Sequence, residues 1–206
     1  MACCYHNGVT DSQNSASAGT LRTVFLDRDG VINKKMPEGG YVTSWANFEL
    51  LPGVPGAIAR LNQAALRVVV VSNQRGIALG LYSALDVETI HANLQSELKR
   101  LGAHVDAFYF CPHDKEDCKC RKPLSGMFES AKQDFPGIRA AESVMIGDSL
   151  SDIEFGRRLG MRTIFVDGGP NQRKEGSKKA IELASQRCSS LGDAVDLLLS
   201  ANGRAK

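Results

Sequence analysis

The sequence predicts an α/β fold: a doubly wound, mainly parallel, Rossmann-like sheet with helices on both faces. Five short runs rich in β-branched and aromatic residues alternate with segments of helical period, which is typical of a βα repeat. These runs lack polar alternation, as expected of parallel strands that are covered on both faces. With 206 residues, of which 43% are hydrophobic, the chain is long enough for one sizeable core.

The predicted strands occupy residues 21–26, 67–71, 107–111, 143–146 and 163–166. Apolar residues at helical spacing predict helices over residues 54–65, 87–101, 124–135 and 149–159. Proline or glycine bounds each helix, and Gly160 has the position of a C-terminal cap. One or two terminal helices are expected around residues 180–185 and 191–199.

A single domain is expected over residues 21–206, after a disordered tail over residues 1–20. The tail is rich in Ser, Ala, Asn and Gly, and it lacks the cationic start and apolar stretch of a secretion signal. We therefore expect a cytoplasmic protein with reduced thiols.

Composition argues against several classes of partner. The longest apolar runs are only a few residues, so no membrane contact is expected. A net charge of +2 without a basic stripe argues against nucleic-acid binding. A compact domain is compatible with a monomer, which we expect.

The first predicted strand is followed directly by two carboxylates that project to the same side, Asp27 and Asp29. Such a pair is typical of phosphoryl transfer: Asp27 has the position of a nucleophile, and Asp29 could protonate the leaving oxygen and later deprotonate water. Ser72 and Asp148 follow later strands, and ligands of parallel sheets bind beyond the carboxyl ends of the strands. Asp27 and Asp148 could hold Mg²⁺ there.

Cations and hydroxyls complete the predicted site. Ser72 could donate a hydrogen bond to the transferred group, and Lys122 could place a positive charge on it. Arg75 and Arg121 could bind the rest of an anionic substrate. Asp152 lies four residues beyond Asp148 and could orient Lys122 or a metal-bound water.

A structural alternative exists for these residues. Asp27 and Asp29 could form a strand-end turn, and Asp148 with Ser149 could cap the helix that begins there. Four separate segment ends would then have to imitate a site by chance, so the functional interpretation is favoured.

Four segments resemble the four motifs of the haloacid-dehalogenase-like phosphatases: residues 25–33, 71–76, 120–123 and 146–152. Within that superfamily the chain is similar to the D-glycero-D-manno-heptose 1,7-bisphosphate 7-phosphatases and to the histidinol-phosphate phosphatases. The resemblance implies an aspartyl-phosphate on Asp27, with Asp29 as acid and base. It also implies Mg²⁺ held by Asp27, the backbone carbonyl of Asp29 and Asp148, with Ser72 and Lys122 as phosphate ligands.

The segments 39–43 and 47–53 resemble the heptose-bisphosphate enzymes more than the histidinol-phosphate enzymes. The resemblance therefore implies removal of the 7-phosphate from D-glycero-D-manno-heptose 1,7-bisphosphate, with histidinol phosphate as the alternative substrate. Residues expected to contact the substrate are Arg28, Gly40, Tyr41, Asn73, Gln74, Arg75 and Arg121. Ser149 and Asp152 are expected just behind the site.

Three cysteines and one histidine crowd into residues 111–120, a segment called the zinc loop below. Cys111, His113, Cys118 and Cys120 match the ligand set of a tetrahedral structural zinc site. Because Arg121 and Lys122 follow at once, zinc would fix two cations against the substrate pocket. A metal-free loop with buried thiols and an iron-sulfur site are the alternatives.

The spaces between the predicted elements are too short for a folded lid domain. An open site favours hydrolysis over a mutase reaction, which would need water excluded from the phospho-aspartate. Two other classes remain open: a zinc-containing nucleic-acid-binding module, and a hydrolase fold retained as an inactive scaffold.

Overall fold

The computed structural model describes residues 5–8, 20–37, 39–114, 118–168 and 176–202. Its strands are β1 Tyr5–Gly8, β2 Thr23–Leu26, β3 Arg67–Asn73, β4 Ala107–Cys111, β5 Ser143–Gly147, β6 Arg162–Val166 and β7 Gln186–Cys188. Its α-helices are α1 Val54–Gln63, α2 Ala84–Arg100, α3 Gly126–Asp134, α4 Leu150–Leu159, α5 Ser177–Leu183 and α6 Leu191–Asn202. Short 3₁₀ turns occupy Trp45–Asn47 and Ala140–Glu142.

In the described ranges the strands form one seven-stranded sheet in the order β1-β4-β3-β2-β5-β6-β7. Strands β2 to β7 pair in parallel, and β1 pairs antiparallel with β4. The prediction of a doubly wound, mainly parallel sheet is confirmed. The first predicted strand is central, because β2 lies between β3 and β5.

Helices cover both faces of the sheet, and β2 shows how its side chains divide between them. Val24 and Leu26 belong to the apolar layer formed with α1, α2 and α6. Phe25 faces the opposite layer, where α3 and α4 contribute Met127 and Phe155. Since all four residues of β2 are buried, the strand end that carries Asp27 has fixed surroundings.

Two strands were not predicted, and both have unremarkable sequences. Strand β7 has three residues, of which Gln186 and Arg187 are polar. Strand β1 lies within residues 1–20, for which a disordered tail was expected. The rest of the predicted tail, residues 1–4 and 9–19, lies outside the described residues.

Helix ends follow the local signals, with one correction. Helix α4 ends at Gly160, which has the left-handed backbone (φ 80°) expected of the predicted cap. Helix α2 begins at Ala84, three residues before the predicted start, because Ser83 and Asp86 form a capping box.

The carboxyl ends of the central strands are not covered by a separate lid domain in the described part of the chain. Among the helices in the described ranges, none combines the length and the apolar character that spanning a bilayer requires.

Candidate active site

The carboxyl ends of three adjacent strands bring the predicted acidic residues together. Asp27 follows β2, Ser72 lies near the end of β3, and Asp148 follows β5. The turn after Asp29 needs glycine at position 30, because Gly30 has φ +100° and a Cβ there would overlap the Asp148 carboxylate. The same glycine thus allows the β2 turn and the β5 turn to approach each other.

A buried ion cluster forms around Lys122, which is 3% exposed. Its Nζ lies 2.8 Å from Asp27 Oδ1 and 2.6 Å from Asp152 Oδ1, and it donates to the Val71 carbonyl at 2.6 Å. Burial alone would lower the pKa of Lys122, but the carboxylates of Asp152 and Asp27 raise it above its ordinary value. Lys122 is therefore a fixed positive charge beside Asp27.

The pKa of Asp27 is raised, chiefly because burial disfavours the carboxylate and also because Asp152 is near. Lys122 opposes this effect through its charge and its hydrogen bond. A cation bound beside Asp27 would stabilise its charged form against both effects.

Carboxylate oxygens of Asp27, Asp148 and Asp152 all lie within 4.8 Å of one another. Such hard oxygen donors match Mg²⁺. Asp152 is already engaged, because its Oδ2 accepts from the Ser149 hydroxyl at 2.6 Å and from the Ser149 N–H at 3.0 Å. Asp27 and Asp148 are thus the better placed pair, and Asp152 with Ser149 lies behind them.

Lys35 contributes a cation that the sequence did not predict at this site. Its Nζ donates to Asp148 Oδ2 at 2.8 Å. Lys35 comes from the loop after β2 and is separated from Asp148 by 113 residues, so nothing in its local sequence points to this contact.

The second predicted catalytic carboxylate, Asp29, accepts hydrogen bonds from three side chains. Arg28 Nη2 donates to both of its oxygens at 3.0 and 2.9 Å, Asn33 Nδ2 donates at 3.0 Å and Gln74 Nε2 at 3.0 Å. Burial opposes its ionisation, but these donors outweigh burial and hold the pKa of Asp29 below its ordinary value.

Two of the residues that were expected to contact the substrate are buried. Arg28 is 0% exposed and Gln74 is 2% exposed. Arg28 is directed at Asp29, and Gln74 bridges Asp29, Ser72 and Tyr82. Both side chains thus support the Asp29 carboxylate, and their contact with a substrate stays a prediction.

The other predicted substrate residues differ in their exposure and in their partners. The amide group of Asn73 is hydrogen-bonded to the backbone of Lys122, which favours a supporting role over substrate contact. Gly40 is exposed and Tyr41 is half-buried. Arg121 is half-buried, and its Nη1 has no hydrogen-bond partner among the described residues.

Arg75 forms a bidentate ion pair with the zinc loop. Its Nε lies 2.5 Å from Asp114 Oδ1, and its Nη2 lies 3.2 Å from Asp114 Oδ2. Asp114 follows His113 directly. The loop after β3 and the zinc loop are thus joined at the rim of the site.

The predicted zinc ligands lie together. Cys111 Sγ is 3.4 Å from Cys118 Sγ and 3.1 Å from Cys120 Sγ, and His113 Nδ1 is 3.3 Å from Cys120 Sγ. These separations exceed a disulfide bond of about 2.05 Å. They are close to the spacing of about 3.5–4 Å that Zn–S bonds of about 2.3 Å impose on tetrahedral ligands.

The thiol chemistry of the cluster also fits a metal. The hydrogen bond from Cys120, with further help from His113, lowers the pKa of Cys111 to about 5 although burial opposes the shift. A thiolate is the form that binds zinc. Residues 115–117, which complete the predicted loop, lie outside the described residues.

Sequence reasoning missed three residues of the site: Asn33, Lys35 and Tyr82. Asn33 had a signal, because it ends the segment that resembles the first motif. Lys35 and Tyr82 lie in loops of ordinary composition, and only the fold brings them to Asp148 and Gln74.

A family model described as HAD-hydrolase-like matches residues 119–194 of the chain. That stretch contains Lys122, Asp148 and Asp152, but not the first two motifs.

Named relatives and a solved structure are similar over most of the chain. A D-glycero-alpha-D-manno-heptose-1,7-bisphosphate 7-phosphatase from Mycobacterium bovis is 43% identical over 143 residues, which is 69% of this chain and 75% of that protein. A D-glycero-beta-D-manno-heptose-1,7-bisphosphate 7-phosphatase from Bordetella bronchiseptica is 35% identical over 87% of this chain and 98% of that protein.

The crystal structure of the D,D-heptose 1,7-bisphosphate phosphatase from B. bronchiseptica, complexed with magnesium and phosphate, aligns with a TM-score of 0.76. It is 32% identical and covers 88% of this chain and 99% of that chain.

Proposed function

The chain belongs to the haloacid-dehalogenase-like phosphatases, and we propose that it hydrolyses the 7-phosphate of D-glycero-D-manno-heptose 1,7-bisphosphate through an aspartyl-phosphate on Asp27. The observation that carries this proposal is the ion cluster at the end of β2. Asp27 Oδ1 lies 2.8 Å from the buried Lys122 ammonium. A carboxylate oxygen of Asp27 also lies within 4.8 Å of carboxylate oxygens of Asp148 and Asp152. A buried carboxylate beside a fixed ammonium, with a second carboxylate placed to share a divalent cation, suits attack on a phosphate ester.

The first chemical step transfers the phosphoryl group to the enzyme. An Asp27 oxygen attacks phosphorus, the ester P–O bond breaks, and Asp29 gives a proton to the departing alkoxide oxygen. The approaching phosphate brings negative charge to Asp29, which favours the protonated form of this carboxyl in the complex.

The second step returns the enzyme to its starting form. Water attacks the phosphorus of the acyl phosphate and passes a proton to Asp29, while the Asp27 carboxylate leaves. One ester and one water thus give one alcohol and one phosphate. The absence of a lid domain from the described residues is consistent with ready entry of this water.

Supporting groups neutralise charge on the transferred phosphoryl group. Asp27 and Asp148, with the backbone carbonyl of Asp29, would hold Mg²⁺, which when bound supplies positive charge against the phosphoryl oxygens. Lys122 adds a fixed positive charge, and Ser72 donates a hydrogen bond.

We assign substrate selection to Arg121, Gly40 and Tyr41. Arg121 has a buried N–H without a partner among the described residues, so a second anionic group such as the 1-phosphate would supply the missing acceptor. Gly40 and Tyr41, in the loop between β2 and α1, would contact the sugar.

Zinc at Cys111, His113, Cys118 and Cys120 would be structural, because four protein ligands leave no open position for water. Its proposed task is to hold Arg121 and Lys122, which follow Cys120 directly in the chain. We further propose that the protein works as a cytoplasmic monomer on small phosphorylated sugars.

A substrate panel tests the proposal. Phosphate release is measured with the α and β anomers of heptose 1,7-bisphosphate, with histidinol phosphate and with p-nitrophenyl phosphate, with and without Mg²⁺. We expect Mg²⁺-dependent release and the highest kcat/KM on one heptose anomer. A folded, metal-loaded protein that releases no phosphate from any of them would refute the proposed reaction; a preference for histidinol phosphate would refute the substrate alone.

A further inference from the structure

A chain of hydrogen bonds leads from Tyr82 through the buried Gln74 to two residues of the proposed chemistry. The Tyr82 hydroxyl donates to Gln74 Oε1 at 2.7 Å. Gln74 Nε2 then donates to Ser72 Oγ at 2.7 Å and to Asp29 Oδ2 at 3.0 Å. We propose that Gln74, held by Tyr82, is a positioning residue that sets the orientation of both Asp29 and Ser72.

Both N–H groups of the Gln74 amide and its oxygen have a partner in this arrangement. One N–H serves each of two acceptors, and the oxygen accepts from Tyr82. Rotating the amide by half a turn would place its oxygen against the Asp29 carboxylate and its N–H groups against the Tyr82 hydroxyl. The Asp29 carboxylate, which can only accept, therefore selects this orientation, and the Tyr82 hydroxyl holds it by donating to the amide oxygen.

The orientation matters for Ser72 because its oxygen is occupied as an acceptor. When Oγ accepts from Gln74, the hydroxyl hydrogen of Ser72 is directed elsewhere. It is then available to donate to a phosphoryl oxygen. Gln74 thus prepares Ser72 as a donor without contacting the substrate itself.

Tyr82 is well fixed for this task. It is buried, its ring lies 5.9 Å from the ring of Tyr41, and it packs with Val87 and Phe110. Gly76 lies so close that a Cβ at that position would overlap the Tyr82 ring. Burial also raises the pKa of Tyr82 to about 12, so the hydroxyl keeps its proton across the working pH range.

The inference rests on the proposed function, and it predicts a dependence on the leaving group. Expulsion of a sugar alkoxide needs a proton from Asp29, whereas p-nitrophenolate leaves without one. Disorder of Asp29 should therefore reduce kcat/KM for the sugar phosphate more than for the aryl phosphate. Disorder of Ser72 alone, or a general loss of active protein, should reduce both equally.

The test compares Tyr82→Phe and Gln74→Met with the wild type on heptose 1,7-bisphosphate and p-nitrophenyl phosphate. For Tyr82→Phe we expect kcat/KM on the heptose substrate to fall about tenfold further than on the aryl substrate. Tyr109→Phe is the matched control, because the Tyr109 hydroxyl also donates to a carboxylate, Asp134, at 2.7 Å but outside the site. That variant should keep the wild-type ratio of the two constants.

A second readout follows from the water-activating role of Asp29. If dephosphorylation slows in Gln74→Met, the aryl phosphate should give a burst of nitrophenolate that is larger than in the wild type, because the phospho-Asp27 form accumulates. Thermal melting identifies variants that fail to fold.

Equal losses on both substrates, or no loss in either variant, would overturn the inference. A wild type that turns over neither substrate would instead refute the proposed function.

Discussion

The side chain of Asn73 holds the backbone of Lys122 at both of its polar groups. Asn73 Oδ1 accepts from the Lys122 N–H at 2.9 Å, and Asn73 Nδ2 donates to the Lys122 carbonyl at 3.1 Å. The two residues are 49 positions apart, at the end of β3 and just after the zinc loop. This pair of bonds fixes the point from which the Lys122 ammonium reaches Asp27 and Asp152.

Replacing Asn73 by alanine should therefore reduce activity as well as stability. We expect a loss of about 1–3 kcal/mol in the free energy of unfolding, since two backbone groups lose their partners. Activity on every substrate should also fall, because Lys122 shifts away from the transferred group. Denaturant unfolding and kcat/KM measure the two effects.

The matched control is Asn62→Ala. Asn62 makes the same pair of bonds with the backbone of His104, at 3.1 and 2.9 Å, but both residues lie outside the four motifs. The Asn62→Ala variant should lose stability and keep its activity. Equal activity losses in both variants would argue that Asn73 acts on stability alone.

Asp27→Asn should remove turnover while the fold is kept. The amide has nearly the same shape as the carboxylate but is a very weak nucleophile. Phosphate release should fall below detection, and melting should remain cooperative. Asp196→Asn, an exposed carboxylate on α6 that pairs with Arg60, is the control and should be fully active. Retained turnover in Asp27→Asn would require another nucleophile.

Lys35→Met should lower the Mg²⁺ concentration that gives half-maximal activity. The Lys35 ammonium lies 2.8 Å from Asp148 Oδ2, so it competes with any cation that binds this carboxylate. We expect a shift of about tenfold or less, since both charges are partly solvated. Lys34→Met removes the neighbouring charge, which pairs with the exposed Glu49, and should leave the titration unchanged. The same Mg²⁺ requirement in both variants would contradict this competition.

Cys118→Ser should release zinc and lower both thermal stability and rate. A hydroxyl is a far weaker zinc ligand than a thiolate, and the loop that carries Arg121 and Lys122 would lose its anchor. Metal analysis of the purified protein measures zinc per chain. Cys188→Ser alters a buried thiol on β7 outside the cluster and should retain the metal. Full zinc content in Cys118→Ser would refute the ligand assignment.

Stability should fall as pH decreases below about 6.5, and His91 should account for part of the slope. His91 is buried and stacks on Phe108 at 4.6 Å, and burial lowers its pKa well below the ordinary value. Because the unfolded chain then binds a proton that the folded chain does not, stability is lost as pH falls, by about 1.4 kcal/mol per pH unit.

Denaturant unfolding between pH 7 and pH 5 measures this effect. His91→Phe should show a shallower dependence on pH than the wild type. His104→Phe, at a histidine on the surface, serves as the control and should follow the wild type. An unchanged slope in His91→Phe would show that His91 is not the responsible group.

The fold and the acidic centre could be predicted because their signals are local. Each strand is a short apolar run, and Asp27, Ser72 and Asp148 come at or just after the ends of such runs. Parallel strands then bring these ends to one edge without further information. The zinc cluster was predictable for the same reason, since its ligands lie within ten residues.

The supporting contacts could not be predicted, because they join residues whose own surroundings in the sequence are ordinary. Gln74 meets Asp29 across 45 residues, and Lys35 meets Asp148 across 113. Arg28 carries a charge and follows a catalytic motif residue, which suggested substrate contact, yet packing buries it completely. Whether a polar side chain faces solvent or a buried carboxylate depends on tertiary packing, not on spacing.

The ion pair between Arg75 and Asp114 joins two segments that a chimera of related enzymes could exchange separately. A chimera that imports the zinc loop of a relative without an acid at position 114 would leave the Arg75 guanidinium with no bidentate acceptor at the rim. A chimera that imports a segment after β3 without an arginine at position 75 would remove the same ion pair from the other side. The two segments should therefore be taken together from the same relative, so that the ion pair is kept.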